Sequence, residues 1–242
     1  MISVIIPTLN EGANLPRLLA TLSAEPTASE IIVADGGSDD DTGAIALGAG
    51  VKVIVTAPGR GGQIRAGAEA AGGDILLFLH ADTVFPTGGL GRIEEALSDQ
   101  RIIGGNFRLH FDGASGFARW LTGFYAFIRR LGLYYGDSGV FVRRGVYDAL
   151  GGVRPIALME DFDFNRRLER AGPTCCIASP PLVTSSRRFE GRHPLAIIWG
   201  WLRIHALFYL HASPRRLAKL YDSERAQERP YRPAGAPFKA QS

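Results

Sequence analysis

The sequence predicts an α/β fold with a parallel sheet. Two observations predict it. Short apolar runs rich in Val and Ile alternate with segments of helical periodicity through the first third of the chain. That alternation builds a parallel sheet with right-handed crossovers. Three of the runs also stop on polar or acidic residues, at Pro7-Thr8-Leu9-Asn10-Glu11, Asp35-Gly36-Gly37-Ser38 and His80-Ala81-Asp82. Strand carboxyl ends are where ligands bind in open sheets of this kind.

Each element follows from local pattern. Ile2 to Pro7 is a β-branched run and reads as a buried strand. Asn10 to Asn14 turns into a helix whose Leu15, Leu18, Leu19 and Leu22 share one face. Glu30 to Ala34 is a second strand, and Asp41 or Thr42 can cap a helix through Ile45 and Leu47. Val51 to Val55 is a third strand. Gly59-Arg60-Gly61-Gly62 reads as a loop, Gln63 to Ala71 as a helix, and Asp74 to Leu79 as a fourth strand. Further on, Pro86 to Ser98 reads as a helix and Ile102 to Phe111 as a strand. Phe117 to Leu131 is an aromatic-rich helix and Gly139 to Arg143 a strand, with a helix starting at Gly145. Asp161 to Arg170 is an amphipathic helix ending at Gly172, and Cys175 to Ala178 a strand.

A length of 242 residues suits one large domain, expected over 1–221. Residues 222–242 are charged and Pro-rich and are expected to form a flexible tail. A net charge of +3 does not call for a nucleic-acid partner. The basic residues gather late, at Arg187, Arg188, Arg192, Arg203, Arg215, Arg216 and Lys219, as a solvated face or a surface for an anionic partner. The two cysteines, Cys175 and Cys176, are adjacent, which points to buried thiols in a reducing cytoplasm. No leader peptide is expected, because Met1 runs directly into a strand. Leu195 to Leu210 falls short of the ~20 apolar residues of a membrane span. It reads first as a buried helix and second as an interfacial helix with basic flanks.

The chemistry-bearing residues sit at the strand ends. Asp35 can accept hydrogen bonds from a base ring or a ribose, and Gly36 and Gly37 let backbone approach a ligand closely. It can equally cap the strand-to-helix turn. Asp82 follows the apolar run Ile75 to Leu79, and a carboxylate there can hold Mg²⁺ or Mn²⁺ together with substrate phosphates. In the bland alternative Asp82 caps a turn and His80 packs in the core. Glu160-Asp161 opens a helix, either as a favourable acidic first turn or with one carboxylate as a general base. Arg60 and Arg65 flank a glycine-rich helix entry, and Arg187-Arg188 lie later. Both pairs are candidates for phosphate or for plain surface charge.

These motifs, in this order, resemble the inverting glycosyltransferases of family 2, which have the GT-A fold, and the resemblance implies a mixed, mainly parallel central sheet flanked by helices. The resemblance runs from about Met1 to Arg188. It implies a nucleotide-sugar-binding half over about 1–100 and an acceptor-binding half with C-terminal helices over about 101–221. Pro7, Thr8, Asn10 and Glu11 match the first nucleotide-binding loop, and Asp35, with Gly36 and Ser38, matches the nucleobase site. His80-Ala81-Asp82 matches the metal-binding Asp-X-Asp position, with Asp82 as metal ligand. Glu160-Asp161 matches the family's late pair, with Asp161 as catalytic base. Arg60, Arg65, Arg187 and Arg188 would meet phosphate. His80 departs from the pattern, since the family has aspartate there. It would bind ribose or metal, or orient the loop. A narrower resemblance is to small bacterial members linked to arsenosugar biosynthesis. It rests on Gly136-Asp137-Ser138-Gly139-Val140-Phe141-Val142-Arg143-Arg144, Leu158-Met159-Glu160-Asp161 and Ser186-Arg187-Arg188-Phe189.

The resemblance implies a metal-assisted, inverting hexosyl transfer from a nucleotide-diphosphate-sugar donor to an acceptor hydroxyl. A lipid-linked acceptor and peripheral contact with the inner face of the membrane through 193–216 are further expectations. The competing readings are a nucleotide-sugar binder without catalysis and a nucleotidyltransferase on a related scaffold.

Overall fold

A computed structural model describes residues 1–113, 116–184, 194–210, 212, 213, 217 and 220. The strands are β1 (Ile2–Thr8), β2 (Ser29–Asp35), β3 (Lys52–Val55), β4 (Ile75–Phe78), β5 (Gly104–Phe111), β6 (Val140–Arg143) and β7 (Thr174–Thr184). The helices are α1 (Leu15–Ser23), α2 (Thr42–Gly48), α3 (Arg60–Ala70), α4 (Gly89–Ala96), α5 (Gly116–Arg130), α6 (Arg144–Ala149), α7 (Glu160–Ala171) and α8 (Pro194–Tyr209). A short 3₁₀ turn covers Gly136–Ser138. The strands form one seven-stranded sheet in the order β3-β2-β1-β4-β6-β5-β7. β6 runs antiparallel to both its neighbours, and every other pairing is parallel. The expected mixed, mainly parallel sheet is therefore present.

Two layers of side chains clamp the sheet. On one face Ile2, Val4, Ile6, Leu77, Phe107, Leu109 and Phe141 pack with the leucines of α1 and with Leu90 and Ile93 of α4. On the other, Ile5, Leu76, Phe78, Val140 and Val142 pack against Ile64 and Ala68 of α3 and Phe164 and Leu168 of α7. Alternation along each strand divides the two sets. All of the parallel strands point their carboxyl ends to the same edge.

Several boundaries differ from the sequence reading. The helix expected from Gln63 begins at Arg60, so Gly61 and Gly62 lie inside its first turn. The reason is tertiary: a Cβ on Gly61 would come within 2.6 Å of the Arg154 carbonyl, so only glycine lets α3 approach that segment. The last strand is eleven residues long and continues through Pro180-Pro181. It is the last strand of the sheet, paired with β5 and touching an isolated antiparallel bridge, Val183 to Val84, on its other side, and an edge strand tolerates proline. Cys175 is half-buried and Cys176 is exposed, which corrects the expectation of two buried thiols. Cys176 lines a cavity between β7 and the last turns of α5, which keeps it accessible. α8 is likewise not a buried helix. Ile197 and Ile204 pack inward while Leu195, Trp199, Leu202 and Tyr209 face outward. Among the described residues no helix is long and apolar enough to cross a membrane.

The close strand contacts give a stability prediction. A Cβ on Gly105 would lie 2.2 Å from the Cys175 carbonyl oxygen, whereas one on Gly43 meets nothing within 4 Å. Gly105→Ala should lower the unfolding free energy by about 1–3 kcal/mol through overpacking. Gly43→Ala should be neutral or stabilising. Urea unfolding of both variants checks the contrast.

Candidate active site

The first part of the site is a pair of loops fastened to each other by side chains. Thr8 and Asp35 are partners at the carboxyl ends of β1 and β2. The Thr8 hydroxyl donates to Asp35 Oδ1 at 3.0 Å, and Ser38 Oγ donates to the same oxygen at 2.5 Å. Asp35 Oδ2 accepts from the amides of Gly37 at 3.2 Å and Ser38 at 2.9 Å. An ionised carboxylate offers about four lone-pair positions, and all are used. Burial works against the charge, but the bonds from Ser38, Thr8 and Gly37 outweigh it and hold the Asp35 carboxyl below its usual range. Gly37 sits at φ 82°, which glycine adopts without strain.

Gln63 locks this corner to α3. Its buried Nε2 donates to the carbonyls of Thr8 at 2.7 Å and Ala34 at 2.8 Å. Across the gap, the Asn10 amide donates to Ser38 Oγ and Asn10 Oδ1 accepts from the Asp39 amide, both at 2.9 Å. The Glu11 amide donates to Thr42 Oγ1 at 2.8 Å, and the Gly12 amide to Asp40 Oδ2 at 3.0 Å. Burial raises the Glu11 carboxyl, and the charges of Asp82 and Asp40 add to the rise, while a bond from Asn14 opposes it. Asp82 therefore lies within electrostatic reach of Glu11.

The second part is a cluster built on one arginine. Arg60, in the first turn of α3, donates through Nε to Glu160 Oε1. Its Nη2 lies 3.3 Å from Asp161 Oδ2, and its Nη1 lies 3.4 Å from His80 Nε2. A guanidinium only donates, so that ring nitrogen is the acceptor. Glu160 is buried and Asp161 half-buried, with side chains 3% and 13% exposed, against 37% for Arg60. Asp161 Oδ2 also accepts from the Gly136 amide at 2.8 Å, and Oδ1 from the Phe162 amide at 2.7 Å. Burial would raise Asp161, but the Arg60 charge and those two amides outweigh it, so the carboxyl lies below its ordinary range. Glu160 moves the other way. Burial is the main cause and the neighbouring Asp161 charge adds to it, with Arg60 opposing. Met159, at φ 67°, makes the sharp turn that brings both acids to the helix start.

The space between Arg60, His80, Gly136 and Asp161 is closed down to about 20 Å³. That is room for about one water. Asp82, half-buried, lies in the turn after β4, closed by the Thr83 amide donating to the His80 carbonyl at 3.1 Å. Among the described residues no group of three acidic, His or Cys side chains could by itself hold a metal ion. Asp82 with Glu11 nearby suits a hard cation only if phosphate oxygens complete its shell.

The structure thus gathers Pro7, Thr8, Asn10, Glu11, Asp35, Gly36, Ser38, Arg60, His80, Ala81, Asp82, Glu160 and Asp161 along one sheet edge. Arg65 is placed elsewhere, in an exposed pair with Glu69 at 3.0 Å on the surface of α3. Arg187 and Arg188 lie outside the described residues. Sequence reasoning missed Gln63 as the strand-end lock. It also missed the pair Tyr135 and His205, whose Oη and Nε2 are 2.8 Å apart. His205 Nδ1 donates to the Trp201 carbonyl at 2.8 Å, so Tyr135 donates to Nε2, fastening α8 beside Phe162. The histidine interrupting an apolar run was the available signal.

A mostly parallel sheet with cross-linked loops and a late acidic pair at its carboxyl edge is the GT-A arrangement. Solved structures share it. TarS from S. aureus, solved in complex with UDP-GlcNAc, superposes with a TM-score of 0.65 at 16% identity, covering 79% of this chain and 60% of that one. A mannosyltransferase from Pyrobaculum calidifontis, solved with GDP-Man and Mn²⁺, gives 0.63 at 16% identity, covering 93% and 74%. Residues 3–147 match the model of glycosyl transferase family 2, and the chain belongs to that family. A PGL/p-HBAD biosynthesis glycosyltransferase of Mycobacterium bovis is 28% identical over 202 residues, 76% of this chain and 72% of the relative. A glucosyl-3-phosphoglycerate synthase of Mycobacterium tuberculosis is 32% identical over 96 residues, 35% of this chain and 30% of the relative.

Asp35 supplies a pH prediction. Its folded-state value lies below the ordinary 3.8, so the unfolded chain binds more protons between the two values. Its contribution is present above that range and is lost as pH falls through it. Asp35→Asn should be less stable than the parent at about pH 6, and the gap should narrow at about pH 3. Denaturant unfolding at the two pH values measures it.

Proposed function

We propose that this glycosyltransferase moves a hexosyl group from a nucleotide-diphosphate-sugar to an acceptor hydroxyl, with inversion at the anomeric carbon. The observation that carries the reading is Asp161, a largely covered carboxylate held by the Arg60 guanidinium and the amides of Gly136 and Phe162 at the strand edge. The acceptor oxygen attacks the anomeric carbon, its proton passes to Asp161, and the bond to the diphosphate breaks with the electron pair leaving on phosphate. A single displacement of this kind inverts the centre.

The rest of the edge receives the donor. The Asn10, Glu11, Asp35, Gly36 and Ser38 corner takes the base and ribose. The four bonds that Asp35 already accepts make it the organiser of that corner, so base contacts fall mainly to backbone and to Asn10. Mg²⁺ or Mn²⁺ at Asp82, completed by the diphosphate, would supply Lewis-acid stabilisation of the leaving group. Arg60 blocks the approach to Asp161 in the free protein. An incoming diphosphate competes for its guanidinium, which turns toward the phosphates and uncovers the base. Arg187 and Arg188 are further phosphate candidates. The Gly136 to Arg144 and Leu158 to Asp161 runs support placement in the arsenosugar-linked subgroup.

The outward Trp199, Leu202 and Tyr209 of α8 support peripheral attachment at the inner membrane face, next to a lipid-linked acceptor. Sedimentation with anionic vesicles should fall several-fold in Trp199→Ser/Leu202→Ser. Equal sedimentation of the variant would remove the attachment.

The catalytic test is Asp161→Asn. Turnover should drop by about 10²–10⁴-fold, the range for a lost general base, while nucleotide affinity changes little. Release of pyrophosphate instead of nucleoside diphosphate would point to nucleotidyl transfer. Nucleotide binding with no turnover in the parent would point to a binder, a reading that His80 in place of the family's aspartate favours.

A further inference from the structure

A second and larger cavity, of about 410 Å³, lies on the far side of the Gly136–Ser138 turn from the Arg60 cluster. It is formed by β5, the start of β7 and the last turns of α5. Its volume falls in the range of small-molecule pockets. The turn that separates it from the acidic pair is three residues long. Ser138 lines the cavity, and Gly136, two residues earlier, donates its amide to Asp161. Tyr125 also lines it, and its ring centroid is 5.8 Å from that of Tyr135, which in turn stacks at 5.7 Å on Phe162, next to Asp161.

Its charge is one-sided. Arg108, Arg129 and Arg130 all line it, and none of its lining residues is acidic. Arg129 is part of the wall. It bonds Asn106, Thr174 and the Cys175 carbonyl, pairs with Glu169 at 3.4 Å and lies over the Tyr134 ring at 4.4 Å. Its charge is thus answered within the protein. Arg108 and Arg130 are exposed and make no ion pair among the described residues. Arg108 is the outward residue of β5 between the core residues Phe107 and Leu109, so the sheet's alternation fixes it over the cavity floor. Two unanswered guanidiniums across a cavity backed by tyrosine rings suit a carboxylate or phosphate monoester on a small organic body.

We propose that this cavity is the anionic subsite of the acceptor: Arg108 and Arg130 hold a phosphate or carboxylate, and the acceptor hydroxyl reaches past Ser138 to Asp161. The proposal rests on the glycosyl-transfer reading for its last step, but anion capture by the cavity does not need it. It predicts that the transferase selects charged over neutral acceptors.

The test titrates sn-glycerol 3-phosphate, with glycerol as the neutral control, against the full chain and reads the shift in melting temperature and the heat of binding. The parent should respond to the phosphate and not to glycerol. Arg108→Gln/Arg130→Gln should bind about 10-fold more weakly or worse, as expected for lost charged hydrogen bonds. Arg101→Gln, which alters an exposed arginine paired with Asp99, should bind like the parent. A dioctanoyl phosphatidate arm separates the two sources of such a group: tighter binding than the bare phosphate assigns a lipid headgroup, weaker binding a free metabolite. No response in the parent, or an equal response in the double variant, overturns the subsite. Nucleoside-diphosphate binding, measured in parallel, should be unchanged in the double variant. Its absence in every form would count against the glycosyl-transfer reading and leave the anion result standing.

Discussion

Two adjacent carboxylates, the buried Glu160 and the half-buried Asp161, sit side by side, and one guanidinium answers both. Burying like charges together is costly unless a counter-charge and hydrogen bonds accompany them. Arg60 supplies the charge, and the amides of Gly136 and Phe162 supply the bonds. Much of the surrounding structure serves this arrangement. Gly61 has no side chain because α3 must come close to residues 154–155 and to Glu160. A Cβ on Gly136 would stand 3.0 Å from Asp161 Oδ2, tighter than ordinary contact, so glycine there lets the amide come up to the carboxylate. Met159 turns through the left-handed region to present both acids at the start of α7.

On the mechanism proposed above, with Asp161 as the base, the same contacts would set the order of events at the site. A base must be ionised and reachable. Arg60 secures the first condition and, in the free protein, denies the second. A donor diphosphate offers the guanidinium a doubly charged partner in a partly desolvated place, where such bonds are strongest. Donor arrival then becomes the step that exposes Asp161. The two parts of the site are joined through α3, which carries both Arg60 and the Gln63 that bonds the Thr8 and Ala34 carbonyls. On one side the Asp35 corner is held rigid by Gln63 and Ser38. On the other, the cavity behind Ser138 is open and basic.

Much of the fold was legible in the sequence because its signals are local. The strands at Ile2, Glu30 and Ile75 are β-branched or apolar runs that stop on polar residues, and the leucine spacing of α1 is a helical stripe. The reversed direction of β6 was not legible, since it depends on partners more than sixty residues away in β4. Pro180-Pro181 hid the length of β7, because proline speaks against a strand unless that strand lies at an edge. Gly59 to Gly62 read as a loop for the same kind of reason. Its glycines answer a tertiary approach and not a turn. Of the site, Asp35, Asp82, Glu160 and Asp161 were found by their position at strand ends or a helix start. Arg60 and Arg65 were indistinguishable in sequence, and only packing places Arg60 against Glu160, one hundred residues on, and Arg65 on the surface. Arg108 and Arg130 carried no signal, since the cavity they share is made by elements far apart in the chain.

The account stands on the displacement of Arg60 from Asp161 by the donor. The most direct measurement is a crystal structure of the chain with an unreacted nucleotide-diphosphate-sugar and Mn²⁺. The account predicts the Arg60 guanidinium on diphosphate oxygens, with Asp161 Oδ2 freed from it and still bonded to the Gly136 amide. An Arg60 that keeps its contacts with Glu160 and Asp161 while the donor is bound would contradict it.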